Sequence, residues 1–186
     1  MTTMSRRAFG ALITCALATT GTAEALAQDL ENTLYMDLSY GRVVIQLRPD
    51  VAPKTVARIK ELARQGFYDG TPFHRVIPNF MAQGGDPTGK GTGGSGKRLE
   101  AEFSSVKHVR GTVSMARSAN PNSADSQFFI CFAPAPHLDG QYTAFGQVIE
   151  GMEFVDRIKK GDAAGNGLVS APQDRIVKMS VAADAQ

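Results

Sequence analysis

The 186-residue sequence contains no tryptophan and only two cysteines. One of these, Cys15, lies in an N-terminal segment that reads as removable. The other, Cys131, then has no partner for an internal disulfide. Cys131 sits in Phe128-Phe129-Ile130-Cys131-Phe132, where it reads as a small buried apolar residue rather than a reactive thiol. An excess of one charge is also missing: 20 basic residues face 18 acidic ones, for a net charge of +2. This excludes a strongly basic nucleic-acid binder and an acidic disordered tail. No HExxH, CxxC or G-x-S-x-G motif occurs, and His74, His108 and His137 stand at no metal-ligand spacing. Metal and hydrolase chemistry therefore have no foothold, and nothing calls for a cofactor.

Long apolar runs are lacking too. The best, Ala8 to Thr20, is too short to span a bilayer. It follows Arg6-Arg7 and precedes Ala25-Leu26-Ala27, an A-x-A-like cleavage site. Residues 1–27 thus read as an export signal cut before Gln28, leaving no stable membrane insertion after cleavage. Ser5-Arg6-Arg7-Ala8-Phe9 resembles a twin-arginine motif, with the general secretory route as the alternative. Cys15 follows Thr14, a poor residue for a lipoprotein site. The expectation is a periplasmic, monomeric protein with one domain over residues 28–186.

What is present is mostly short strands. Leu34, Met36 and Leu38 alternate with polar neighbours, as do Val43, Ile45 and Leu47 beyond a turn at Ser39-Tyr40-Gly41-Arg42, which predicts a β-hairpin. Further strands are predicted at 73–77, 80–83, 112–116, 127–132, 143–148 and 176–181. The period changes to a helical one from Pro53, with apolar residues at Val56, Ile59 and Leu62 and a C-terminal Gly66. A second helix is predicted over Met152–Lys160, with an i,i+4 pair between Glu153 and Arg157. Many short strands with two isolated helices predict a mainly β chain folded as a closed barrel or sandwich.

Residues 84–96 hold seven of the 19 glycines. Two overlapping G-x-G-x-x-G matches occur there, but Ser95-Gly96-Lys97 continues the loop where a phosphate-binding helix would have to begin. The glycines read instead as backbone turns of positive φ.

One arginine stands among apolar residues in Phe73-His74-Arg75-Val76-Ile77. Strand alternation puts Phe73, Arg75 and Ile77 on one face. A guanidinium has five fixed donors that need polar partners. Gln127, sharing a face with Phe129, is a second polar residue on an apolar strand. These residues alone leave two readings open: a functional pair, or a structural Arg and Gln satisfied by backbone carbonyls.

The segments Phe73-His74-Arg75-Val76-Ile77-Pro78, Phe80-Met81-Ala82-Gln83-Gly84-Gly85-Asp86, Gly91-Thr92-Gly93-Gly94, Ser114-Met115-Ala116, Ser126-Gln127-Phe128-Phe129-Ile130 and Leu138-Asp139-Gly140 resemble, in order and spacing, the cyclophilin-type peptidyl-prolyl cis-trans isomerases. The resemblance runs from about residue 32 to 182. It implies a closed eight-stranded antiparallel β-barrel capped by two α-helices. It implies an isomerase, or rotamase, acting on proline-containing unfolded or partly folded polypeptides in protein folding. It makes Arg75 the catalytic guanidinium and puts Phe80, Met81, Phe129 and Leu138 round the proline ring. Gln83 and Gln127 would hold the substrate backbone, Ala116 and Arg117 would form the strand edge along the peptide, and His137 and Tyr142 would flank the pocket. Many eukaryotic members carry Trp at the place of His137, His at that of Tyr142 and Asn at that of Arg117. The stretch from Arg117 to Ser126 is also one residue longer here. Lacking that Trp, the chain is expected to bind cyclosporin weakly. The alternatives are a proline-peptide receptor or holdase chaperone with incidental catalysis, and a barrel for a small apolar ligand.

Overall fold

A computed structural model describes residues 29–162 and 164–185. The proposed export signal, residues 1–27, lies outside the described residues. Among the described residues there are eight strands: β1 (Thr33–Leu38), β2 (Gly41–Leu47), β3 (Arg75–Ile77), β4 (Met81–Gly84), β5 (Thr112–Met115), β6 (Phe128–Cys131), β7 (Ala144–Glu150) and β8 (Ile176–Val181). All the strand pairs are antiparallel. They form one curled sheet in the order β3-β4-β6-β5-β7-β2-β1-β8. Its two ends meet through an isolated bridge between Pro72 and Arg175, backed by Phe73 N–H to Asp174 O at 2.9 Å and Ile176 N–H to Thr71 O at 2.9 Å. Closure therefore rests on a few hydrogen bonds just before β3 and β8 rather than on a full ladder.

The free edge of β3 is covered by residues 161–169. Val76 N–H donates to Gly167 O at 2.7 Å, Gly161 N–H to Val76 O at 2.9 Å and Val169 N–H to His74 O at 2.9 Å. A covered edge offers no template for a foreign strand, and this cover also sets the loop 162–168 beside Arg75.

Helix α1 (Pro53–Arg64) buries Val56, Ile59 and Leu62, as its spacing predicts. Ala52 offers no side-chain cap. Instead the Glu102 carboxylate accepts from Lys54 N–H at 2.9 Å and Thr55 N–H at 2.8 Å, putting a negative charge at the positive end of the helix. Gly66, just past the helix, has φ +67, the left-handed geometry that stops a helix. Helix α2 (Met152–Arg157) ends three residues earlier than expected. The expected Glu153–Arg157 pair does not form; the Arg157 guanidinium lies over the Tyr40 ring at 4.5 Å instead. That leaves the charge exposed while its stem covers apolar surface.

Strand alternation splits the buried residues into two clusters. Val76, Ala82, Val113, Met115, Phe128 and Ile130 point inward and join the main core, which also receives α1 and α2. Met81, Phe129, Cys131, Ala135 and Leu138 form a second cluster on the outer face, with Ile77, Phe80, Ala116 and Tyr142 packed on it. The expectation that Phe73 shares a face with Arg75 and Ile77 is corrected here. β3 begins only at Arg75, and Phe73 belongs to the main core. The chain before Arg75 leaves the ladder to make the closing bridge, so the two-residue period does not extend back to residue 73.

Candidate active site

The outer cluster forms the floor of a pocket of about 260 Å³, lined by Arg75, Phe80, Met81, Gln83, Ala116, Arg117, Phe129, His137, Leu138 and Tyr142. Register explains the grouping. Arg75 pairs with Gln83 across β3 and β4, and Gln83 with Phe129 across β4 and β6, so the three side chains stand in one row. Met81 pairs with Cys131 and supplies the apolar floor next to them. The Phe80 and His137 rings lie 5.4 Å apart on one wall, and Phe129 meets Tyr142 edge-to-face at 5.8 Å on the other. Ten of the eleven residues singled out in the sequence line this pocket. The eleventh, Gln127, stands behind Gln83.

A directed chain of hydrogen bonds orders the polar side. Gln127 Nε2 donates to Gly91 O at 3.1 Å and Gly93 O at 2.8 Å. With its amide nitrogen so fixed, Gln127 Oε1 accepts from Gln83 Nε2 at 2.9 Å. Gln83 Oε1 is thereby turned to Arg75 Nη1 at 3.2 Å. The other edge of the guanidinium is held by Asn166, with Nε to the backbone oxygen and Nη2 to Oδ1, both at 3.0 Å. Three of the five guanidinium N–H groups are thus committed, which leaves one on each of Nη1 and Nη2. All the acceptors are neutral, and no carboxylate pairs with Arg75 among the described residues. Burial presses its pKa downward, yet a guanidinium keeps its proton at any working pH.

Sequence reasoning missed Asn166. Its signal was Gly165-Asn166-Gly167: Asn166 has φ +56, and Asn is the residue after Gly that best tolerates that region. The glycine-rich loop has a use as well. Gly85, Gly89, Gly91 and Gly96 take the positive φ expected of them. Gly93 does not, and is needed for space, because a Cβ there would collide with Asp86. Burial disfavours the Asp86 charge, but hydrogen bonds from Gly93 N–H, the Thr88 hydroxyl, Thr88 N–H and Gly91 N–H together hold its pKa down at about 2. This carboxylate shapes the loop whose carbonyls orient Gln127.

Behind Phe129, His108 stacks on the ring at 6.2 Å and links Ser114 Oγ, 3.0 Å from Nε2, to Asp139 Oδ1, 3.1 Å from Nδ1. The connectivity is that of a hydrolytic triad, but Ser114 is fully buried, so no substrate reaches its hydroxyl and the trio attacks nothing. Burial lowers the His108 pKa against the opposing pull of Asp139, which keeps the ring neutral. Burial also pushes the Cys131 thiol up to about 12, leaving it unreactive.

Residues 33–181 match the family model described as cyclophilin type peptidyl-prolyl cis-trans isomerase/CLD. The chain belongs to that family. A probable peptidyl-prolyl cis-trans isomerase of Brucella suis is 51% identical, over 96% of this chain and 97% of that one. A peptidyl-prolyl cis-trans isomerase of Helicobacter pylori is 44% identical, over 76% of this chain and 90% of that one. Among solved structures, a cyclophilin of Cryptosporidium parvum crystallised in the presence of the dipeptide Ala-Pro superposes with a TM-score of 0.72 at 30% identity. It covers 80% of this chain and 98% of that one. The protein is thus a cyclophilin-type isomerase of the X-Pro peptide bond, and the eight-stranded curled sheet with few helices is the family's fold.

Proposed function

We propose that this isomerase works through Arg75, which stabilises the half-rotated X-Pro amide while the proline ring sits in the outer pocket. Resonance sets a barrier of about 18–20 kcal/mol against rotation. In the twisted state the proline nitrogen regains a lone pair, which a donor can bond only there. Such an interaction lowers the barrier without tightening ground-state binding. The carrying observation is the guanidinium itself. It is held by Asn166 along its Nε–Nη2 edge and by Gln83 at Nη1, pairs with no carboxylate among the described residues, and has two N–H groups left beside an apolar floor. An acceleration of about 10⁵-fold needs about 7 kcal/mol, of which one charge-assisted hydrogen bond gives roughly 1.5–3 kcal/mol. Holding the ring on Met81, Phe129 and Leu138 and excluding water give the rest.

The N-terminal segment supports export, so the clients are proline-containing unfolded or partly folded polypeptides in the periplasm, bound by a monomer. With His137 in place of an indole on the wall, cyclosporin binding is weak. The test is isomerisation of an Ala-Pro peptide followed by NMR exchange. Wild type turns it over, Arg75→Ala loses at least tenfold in kcat/KM with its fold intact, and Arg75→Lys recovers little, since an ammonium lacks the planar fork. Full turnover by Arg75→Ala removes the guanidinium from the mechanism. Peptide binding without catalysis by wild type makes the chain a receptor or holdase instead.

A further inference from the structure

A second pocket, of about 360 Å³, opens beside the first and shares Gln83, Ala116 and Arg117 with it. Its wall adds Arg98 and Asp125. The Asp125 carboxylate is turned into its own loop, accepting from Ser95 N–H at 2.6 Å, the Ser95 hydroxyl and Gly96 N–H at 3.0 Å. The two arginines have no carboxylate partner among the described residues. Arg117 lies over the Tyr142 ring at 4.4 Å. Its Nε and Nη2 reach Gln141 O at 3.2 and 2.9 Å, and its Nη1 reaches Ser118 O at 2.9 Å. These neutral acceptors fix the group and leave its charge unbalanced. Arg98 is exposed and makes no side-chain hydrogen bond or ion pair among the described residues. Arg75 is a third uncompensated cation close by, so two connected pockets present more positive than negative charge, and a cleft focuses such a field.

An extended peptide turns alternate side chains to the same face, about 7 Å apart. With a proline in the first pocket, a residue two positions away reaches the second. We infer that Arg98 and Arg117 make this pocket select an acidic side chain two residues from the isomerised proline. The inference rests on the proposed function and adds the class of client that the site prefers.

The experiment compares Ala-Pro peptides carrying Glu or the isosteric Gln, placed two residues before or two residues after the proline. The readout is the Glu-to-Gln ratio of kcat/KM, which is insensitive to any general loss of activity. For one of the two placements, wild type is expected to favour Glu by about three- to tenfold at low ionic strength. The ratio falls toward one at 1 M salt, where charges are screened beyond about 3 Å. Arg98→Gln and Arg117→Gln each reduce it. Equal turnover of Glu and Gln peptides at both placements, or a preference unchanged by salt, overturns the acidic selection and leaves the isomerase reading intact. Absence of turnover on every peptide overturns the proposed function and this inference with it.

Discussion

Replacing Gln83 by glutamate changes one atom type and reverses the polar logic of the site. In the wild type the direction of every amide is forced. Gly91 O and Gly93 O take the Gln127 nitrogen, so Gln127 Oε1 must accept from Gln83, and Gln83 Oε1 must face Arg75 at 3.2 Å. In Gln83→Glu a carboxylate stands on the guanidinium and the donor to Gln127 is gone, so two acceptors meet where a 2.9 Å hydrogen bond was. The introduced charge neutralises the cation that the twisted amide uses. A charge-assisted hydrogen bond is about twice as strong as a neutral one and contributes roughly 1.5–3 kcal/mol. Losing its charged part, about half of that energy, is therefore expected to lower kcat/KM by about 3- to 12-fold, at roughly tenfold per 1.4 kcal/mol. The loss falls in kcat, because the pocket floor of Met81, Phe129 and Leu138 is untouched. NMR exchange on an Ala-Pro peptide reads the rate, and circular dichroism checks the fold. Wild-type kcat/KM from a folded Gln83→Glu protein would refute the reasoning, since it would mean that the Arg75 charge has no part in the rate.

Two further outcomes follow from the same geometry. Asn166→Gly keeps the left-handed backbone and its carbonyl but removes the Oδ1 acceptor of Arg75 Nη2; it should lower kcat/KM about three- to tenfold, one net hydrogen bond of roughly 0.5–1.5 kcal/mol, with little change in melting temperature, and an unaltered rate shows that Asn166 does not orient the guanidinium. Asp86 has a folded pKa of about 2, below the ordinary carboxylate value. The folded state thus binds its proton less readily than the unfolded one, and its stabilisation is full above about pH 4 and lost as pH falls toward 2. Urea unfolding across that window should show a fall larger in wild type than in Asp86→Asn by on the order of 2 kcal/mol, and parallel pH curves for the two proteins contradict the cradle.

Much of the site was legible because a two-residue period carries two messages at once. Along β4 and β6 the residues of one parity build the main core and those of the other build the pocket, so the pairing of Gln127 with Phe129 on one face was readable from alternation, while the row that joins Gln83 to Phe129 needed the strand register. The role of each one came from the family resemblance rather than from the pattern. What escaped notice was set by contacts remote in sequence. Asn166 reaches Arg75 only because residues 161–169 cover the edge of β3, and no local pattern announces that pairing. Phe73 was misplaced because the barrel closes at Pro72, a long-range event that breaks local alternation. The early end of α2 has the same character: Arg157 goes to Tyr40, a residue of the distant hairpin.

The placing of the cleft on the outside of the barrel has an evolutionary corollary. Neighbouring codons in β4 and β6 answer to different selective pressures, one set to folding and the next to client choice. Variation at cleft positions leaves the interior packing alone, and repacking of the interior leaves the cleft's chemistry alone. A saturation screen scored separately for abundance and for turnover should therefore show a comb, the two scores trading places at every step along these strands.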